Sequence, residues 1–183
     1  QLAGITNIGE SRVQEAEKKT KNFQHKNLIT LHLIGHLQTN KAKKAVLLCD
    51  VIQTIDTEKI AIKVNKEAQK INKKQKIYLQ INIGKDPHKK GFNHQKIFKK
   101  CKKIKEMKNL KIEGIMTILP EQANKKEIKQ MFLKTQKISD KIKSRITPTC
   151  TETSMGMSQD YKEALVCGTT NIRIGTKLYG SRQ

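Results

Sequence analysis

TETSMGMSQDYKEALVCGTTNIRIGTKLYGSRQ, residues 151–183, is the most informative stretch of this chain. It reads as a turn, a capped helix, a short strand and a Gly-Thr turn. Asp160-x-x-Glu163 has the spacing of a capping pair at a helix start, and Tyr161, Ala164 and Leu165 give that helix an apolar face. Gly168 closes it, since a left-handed C-cap favours a residue without Cβ. Asn171-Ile172-Arg173-Ile174 is strand-like, and Gly175-Thr176 lets backbone N–H groups approach a ligand closely. Folds that alternate strand and helix often hold a phosphate at a Gly-Thr turn after the last strand. The same residues also suit an ordinary strand end.

Upstream, strands alternate with helices. Ile5–Gly9 and Leu31–Gly35 read as short strands with a helix, Arg12–Lys19, between them. Thr39–Leu48 is the next helix and Val51–Ile55 the next strand. Thr57 can cap a helix whose Ile60, Val64, Ala68 and Ile71 fall on one face. Ile77–Ile83 (IYLQINI) is the clearest strand, followed by a loop over Gly84–Asn93 in which Asp86, Pro87 and His88 form a turn. Ile97, Cys101 and Ile104 mark a further helix, and Ile112–Ile118 a further strand. Ile128, Met131, Phe132, Thr135, Ile138 and Ile142 mark the longest helix, and Thr149–Thr151 is a short strand candidate.

Repeated β-α order predicts a parallel sheet with helices outside it. An open doubly wound sheet would bring a phosphate loop near its start, yet no GxGxxG or Walker pattern occurs. The late Gly-Thr turn favours a (β/α)8 barrel with its phosphate site after strands seven and eight. Seven strands can be counted, one short of closure. No composition break or low-complexity linker divides the chain, so residues 1–183 are expected to form a single domain.

Composition narrows the function. The formal charge is +22, but 34 of the 38 basic residues are lysine, spread along helical surfaces; only Arg12, Arg145, Arg173 and Arg182 are arginine. A dedicated nucleic-acid reader would use more arginine and more stacking rings than the 3 Tyr and 4 Phe present, so the charge reads as solvated faces with no specific nucleic-acid partner. No run approaches the length of a membrane span, and no signal peptide is visible. Cys49, Cys101, Cys150 and Cys167 lack a CxxC pair, which fits a reducing, cytoplasmic setting. His32 and His36 are four apart without the glutamate of HExxH, so a metal is not expected there; His32 reads as a polar contact near the barrel mouth.

Seven segments then occur in a telling order. They are Gly9-Glu10-Ser11-Arg12-Val13-Gln14-Glu15, Leu31-His32-Leu33-Ile34-Gly35-His36-Leu37-Gln38-Thr39-Asn40-Lys41, Gln53-Thr54-Ile55-Asp56, Gln80-Ile81-Asn82-Ile83, Gly114-Ile115-Met116-Thr117, Ser154-Met155-Gly156-Met157-Ser158 and Ile172-Arg173-Ile174-Gly175-Thr176. Across residues 4–182 the set resembles the pyridoxal phosphate homeostasis protein family (YggS/PROSC type), with the Ser-Met-Gly-Met-Ser helix and the Arg-Ile-Gly-Thr segment its most specific pair.

The resemblance implies a (β/α)8 TIM-type barrel like the alanine racemase N-terminal domain, binding pyridoxal 5′-phosphate (PLP). Such proteins buffer the cofactor or deliver it to apo-enzymes, with no established turnover. By motif position, Arg173 would face the pyridine nitrogen, and Gly175 and Thr176 would hold the phosphate with Ser154 as a further donor. Met155, Gly156 and Met157 would lie close to the cofactor, with Ser11 and His32 nearby. Guanidinium is donor-only and permanently charged, so an arginine facing the ring favours unprotonated pyridine, a poor electron sink. Arg173 could equally be a strand-end ion pair with Glu113 or Asp160.

This chain also departs from the family pattern. The family's Schiff-base lysine lies on a first strand upstream of Gly9-Glu10, so the lysine, that strand and its helix are expected to be missing from these residues, with Gln1-Leu2-Ala3-Gly4 resembling the end of that helix. Ser11 stands where the family has Asn, and Leu31 replaces a usual Trp. Lys85 and Lys90 are poor substitutes, because loop lysines lack the fixed, desolvated position that lowers an amine's pKa. A racemase-like enzyme is the alternative, but the second, β-rich domain of racemases is not in these residues. A monomer is expected, with the strands at Ile5–Gly9 and Asn171–Ile174 left as bare edges where copies could associate.

Overall fold

The computed structural model describes residues 4–21 and 28–180; the helix-end reading of Gln1–Ala3 and the side chain of Arg182 lie outside the described residues. The strands are β1 (Asn7–Glu10), β2 (Thr30–Leu33), β3 (Val51–Ile55), β4 (Gln75–Asn82), β5 (Phe92–Asn93), β6 (Leu110–Thr117), β7 (Glu152–Met157) and β8 (Asn171–Arg173). The helices are α1 (Val13–Lys21), α2 (Ala42–Leu48), α3 (Glu58–Lys70), α4 (Ile97–Lys105), α5 (Lys125–Arg145), α6 (Tyr161–Val166) and α7 (Thr176–Tyr179). All strand pairs are parallel, in the order β1-β2-β3-β4-β6-β7-β8, with the two-residue β5 paired to β4. Among the described residues, β1 and β8 each have one neighbour, as expected for a barrel open along one seam.

The central strands β3, β4 and β6 are buried on both faces over most of their length. Ile77, Leu79 and Ile81 of β4 enter the main core with Ile60, Val64, Phe132, Ile138 and Ile142 of the surrounding helices. Tyr78 of the same strand packs inside the barrel with Val51 and Met116. Strict alternation thus sends one row to the helices and the other to the axis. Fully burying an aliphatic or aromatic side chain contributes about 1.5–3 kcal/mol, so the helix-facing rows dominate the stability.

Helix starts follow local chemistry. The Thr57 hydroxyl accepts from the Ile60 N–H and caps α3, whose Ile60, Val64 and Ala68 are buried; Ile71 falls past its last turn and is exposed. Helix α5 opens with a reciprocal capping box, in which Asn124 accepts from the Glu127 N–H and Glu127 accepts from the Asn124 N–H. Residues Thr39–Lys41 form a 3-10 turn before α2 rather than part of one continuous helix.

Three readings of the C-terminal segment are corrected. The seventh strand is Glu152–Met157, not Thr149–Thr151, because the Thr149 hydroxyl donates to the Ile112 carbonyl and turns the chain into the sheet first. The Ser154–Ser158 segment is therefore mostly strand rather than helix, with Gly114, Ile115 and Met116 of β6 opposite Glu152, Thr153 and Ser154. Gly156 sits at φ +88, where a Cβ would meet Ala164 Cβ at 2.6 Å and Tyr161 Cα at 2.9 Å, so glycine lets α6 close down on the strand. Asp160 does not cap α6; its Oδ1 accepts from the Met157 N–H at 2.6 Å and closes the turn before the helix. Gly168, at φ +84, takes the left-handed conformation expected after α6.

Candidate cofactor site at the carboxyl ends of β7 and β8

Arg173, the last residue of β8, turns into the barrel. Its Nη1 donates to Ser154 Oγ at 2.6 Å and its Nη2 to the Thr117 carbonyl at 2.8 Å. Burial pushes its pKa down to about 10, with Asp160 opposing that shift, and the guanidinium remains charged at neutral pH. Neither expected carboxylate pairs with it. Glu113 is held by Lys111 and Lys76, at 2.7 and 3.7 Å, and Asp160 is engaged with the Met157 N–H. The arginine is therefore satisfied by neutral acceptors.

Ser154 is fully buried and passes the contact on, donating to Gln53 Oε1 at 2.7 Å. Gln53 Nε2 lies 2.9 Å from His32 Nδ1, and His32 Nε2 lies 3.0 Å from Asn7 Oδ1. The guanidinium can only donate, and the amide oxygens of Gln53 and Asn7 can only accept, which together set the sense of the row. Arg173 donates to Ser154, Ser154 to the Gln53 carbonyl, the Gln53 amide to His32 Nδ1, and His32 Nε2–H to Asn7. His32 is thus a neutral imidazole protonated on Nε2. Burial lowers its pKa in the same direction, outweighing the opposing effect of Asp50.

Past β8 the chain makes its Gly-Thr turn. The N–H groups of Gly175 and Lys177 both approach Ser158 Oγ at 3.4 Å, and Thr176 opens α7. A Cβ at Gly175 would meet no protein atom within 4 Å, so the turn faces open space. Lys177 Nζ lies 4.6 Å from the centroid of the Tyr161 ring and ties α7 to α6. Ser158 is the contact that the motifs did not single out here; its place directly after Met157, the last residue of β7, was the available signal.

The other expected residues are distributed around this point. Met157 is level with Arg173 in the β7–β8 register and partly exposed. Met155 is fully buried in the layer between sheet and helices, so only its backbone faces the barrel. Ser11 is exposed just beyond β1, and its carbonyl abuts Gly35. A groove of about 410 Å³ at the ends of β2 and β3 is lined by His36, Asp56, Thr57 and Lys90 and does not include Arg173 or Ser154. Lys90 and the rest of the β4–β5 loop are held by Asn82 and Gln80, which donate to the carbonyls of Asp86, Lys89 and Lys90.

A parallel barrel with polar groups gathered at the carboxyl ends of its last strands is an architecture of alanine racemase type. The family model for the alanine racemase N-terminal domain matches residues 1–183. An alanine racemase of Clostridium difficile, 13% identical with a TM-score of 0.75, shares the fold over 97% of this chain and 44% of that chain. Within this class the chain belongs to the pyridoxal phosphate homeostasis protein family. It is 38% identical to the pyridoxal phosphate homeostasis protein of Synechocystis over 98% of this chain and 83% of that protein. It is 33% identical to the one from Pasteurella multocida, over 98% and 78%. The structure of PipY from Synechococcus elongatus with PLP bound is 31% identical, with a TM-score of 0.89, and covers 98% of this chain and 84% of that one. Among the described residues, no helix is long and apolar enough to cross a membrane.

Proposed function

We propose that this protein binds pyridoxal 5′-phosphate at the ends of β7 and β8 and serves cytoplasmic PLP homeostasis, holding the cofactor and releasing it to apo-enzymes without turnover of its own. Family membership and the PLP-bound PipY relative support this reading. The observation that carries it is the uniform polarity of the site. The Arg173 guanidinium, the Ser158 hydroxyl and the Gly175 and Lys177 N–H groups gather donors at the ends of β7 and β8, around one open turn. That set suits a phosphate ester attached to a heteroaromatic ring whose nitrogen is an acceptor.

In this reading Gly175, Thr176 and Ser158 hold the phosphate, and Arg173 faces the ring nitrogen with Ser154 fixing its orientation. Met157 and the backbone of Met155 and Gly156 line the ring, with Ser11 toward the β1 side and His32 set back behind Gln53. Bound PLP supplies an aldehyde open to amines and a ring able to accept electron density. A permanently charged donor at the ring nitrogen keeps that nitrogen unprotonated and weakens the ring as an electron sink, which favours storage over carbanion chemistry. The half-buried, donor-only arginine is a fixed part of this device, since a pKa lowered to about 10 leaves it charged at physiological pH.

Titration of the purified protein with PLP, read by the cofactor's visible absorption, tests the proposal. Saturable binding that weakens at least about tenfold in Arg173→Ala is expected, since a hydrogen bond to a charged group contributes about 1.5–3 kcal/mol. An unsaturable response in the parent protein rejects it.

A further inference from the structure

The side-chain row that begins at Arg173 continues well past the residues a ligand could touch. Gln53 and His32 are 3% and 6% exposed and lie on β3 and β2, on the far side of the barrel interior from β8. Each member has a single workable orientation. Gln53 Oε1 can only accept, so the one proton of Ser154 goes to it while Ser154 Oγ accepts from Arg173. The Gln53 amide must then present Nε2 to His32, which accepts only while Nδ1 is unprotonated. Asn7 Oδ1 holds the proton on Nε2 and so keeps Nδ1 free. Asn7 in turn donates through Nδ2 to the Thr6 hydroxyl at 3.1 Å.

We infer that Gln53 and His32 are positioning residues for the cofactor site, acting through Ser154 to hold the Arg173 guanidinium in one orientation. The inference rests on the PLP reading above and names residues that it does not use for contact. Among the described residues no carboxylate forms an ion pair with Arg173, and its direction depends on two neutral acceptors, the Thr117 carbonyl and Ser154 Oγ. A main-chain carbonyl is immobile. A serine hydroxyl rotates, and it becomes a fixed acceptor only when its own proton is committed. Gln53 commits it, and His32 commits Gln53. Depression of the His32 pKa by burial supports the same arrangement, because the neutral imidazole is the form that accepts.

The test compares PLP affinity and the position of the bound-cofactor absorption band in the parent protein and in Arg173→Ala, Gln53→Leu, His32→Leu and His32→Asn. Asparagine places an amide oxygen where histidine has Nδ1 and so keeps the acceptor for Gln53. We expect Gln53→Leu and His32→Leu to weaken PLP binding by about tenfold, as loss of one net hydrogen bond predicts, and to move the band in the same direction as Arg173→Ala. His32→Asn should stay within about twofold of the parent with its band unmoved. A purely structural role would lower the melting temperature and leave the band in place. If Arg173→Ala changes affinity and band while both leucine variants leave them unchanged, the positioning role is wrong and the PLP reading stands. If the parent protein itself gives no saturable response, both fall. Should a leucine variant fail to fold, Gln53→Asn, which shortens the side chain while keeping the interior polar, carries the same expectation.

Discussion

Gln53 Nε2 donates to Nδ1 of His32 across 2.9 Å, which makes the imidazole an acceptor toward β3 and a donor, through Nε2, toward Asn7 on β1. A buried neutral histidine placed between two amides in this way is sensitive to acid, and the sign of the effect follows from its surroundings. Burial and Lys76 lower its pKa; Asp50, Glu113 and Glu152 raise it, and burial is the largest influence.

The unfolded chain therefore takes up a proton at His32 near the ordinary value of 6.5, while the folded chain resists until lower pH. The contribution of His32 to stability is fully present above that value and is lost as pH falls below it. Urea unfolding at about pH 7.5 and about pH 5.5 should show a smaller loss in His32→Asn than in the parent. His94, also lowered by burial and by Lys134 and Lys85, contributes the same sign and remains in both proteins, so the difference isolates His32.

Phe132 is the largest completely buried side chain on α5 and joins that helix to the sheet. Phe132→Ala should destabilise the protein by about 3–5 kcal/mol, measured by urea unfolding, through lost burial and the cavity left behind. A loss under about 1 kcal/mol would mean that α5 packs differently.

Gly35 lies directly against the backbone carbonyl of Ser11, so a Cβ there collides with main chain rather than with a movable side chain. Gly35→Ala should cost about 1–3 kcal/mol and displace the end of β1. A lowered melting temperature with backbone amide shifts centred on Ser11 is the expected NMR result.

How far such features can be read in advance depends on what fixes them. IYLQINI was legible as a strand because both of its faces are buried and its β-branched and aromatic residues suit the pleat. Ile60, Val64 and Ala68 were legible because a helix repeats its buried face at that spacing. Glu152–Met157 was not, because glutamate and glycine are poor strand formers that outweigh the single threonine, and the ladder with β6 decides the matter. Asp160 has the spacing of a helix cap, yet the preceding turn captures its carboxylate first. At the site, the motif order pointed to Arg173, Ser154 and the Gly-Thr turn. Gln53 could not be given its role, since it meets Ser154 across 101 positions of chain and only barrel closure brings them together. An inward-facing polar residue in a strand looks, in sequence, like one facing solvent.

The Asn124–Glu127 box offers a check on purely local chemistry. Asn124→Ala removes the side-chain acceptor for the Glu127 N–H at an exposed helix start. The expected loss is about 1 kcal/mol in urea unfolding, with no change in any cofactor response.

The shared direction of the row from Arg173 to Asn7 has an electrostatic consequence. Each O–H or N–H bond points its hydrogen away from β8, so the individual bond dipoles add instead of cancelling, and each polarises the next. The negative pole of this array rests on the serine oxygen beside the guanidinium. The interior therefore offers the arginine a diffuse counter-charge spread over several uncharged groups, which moderates the desolvation of a half-buried cation without placing an anion where the phosphate ester would have to approach.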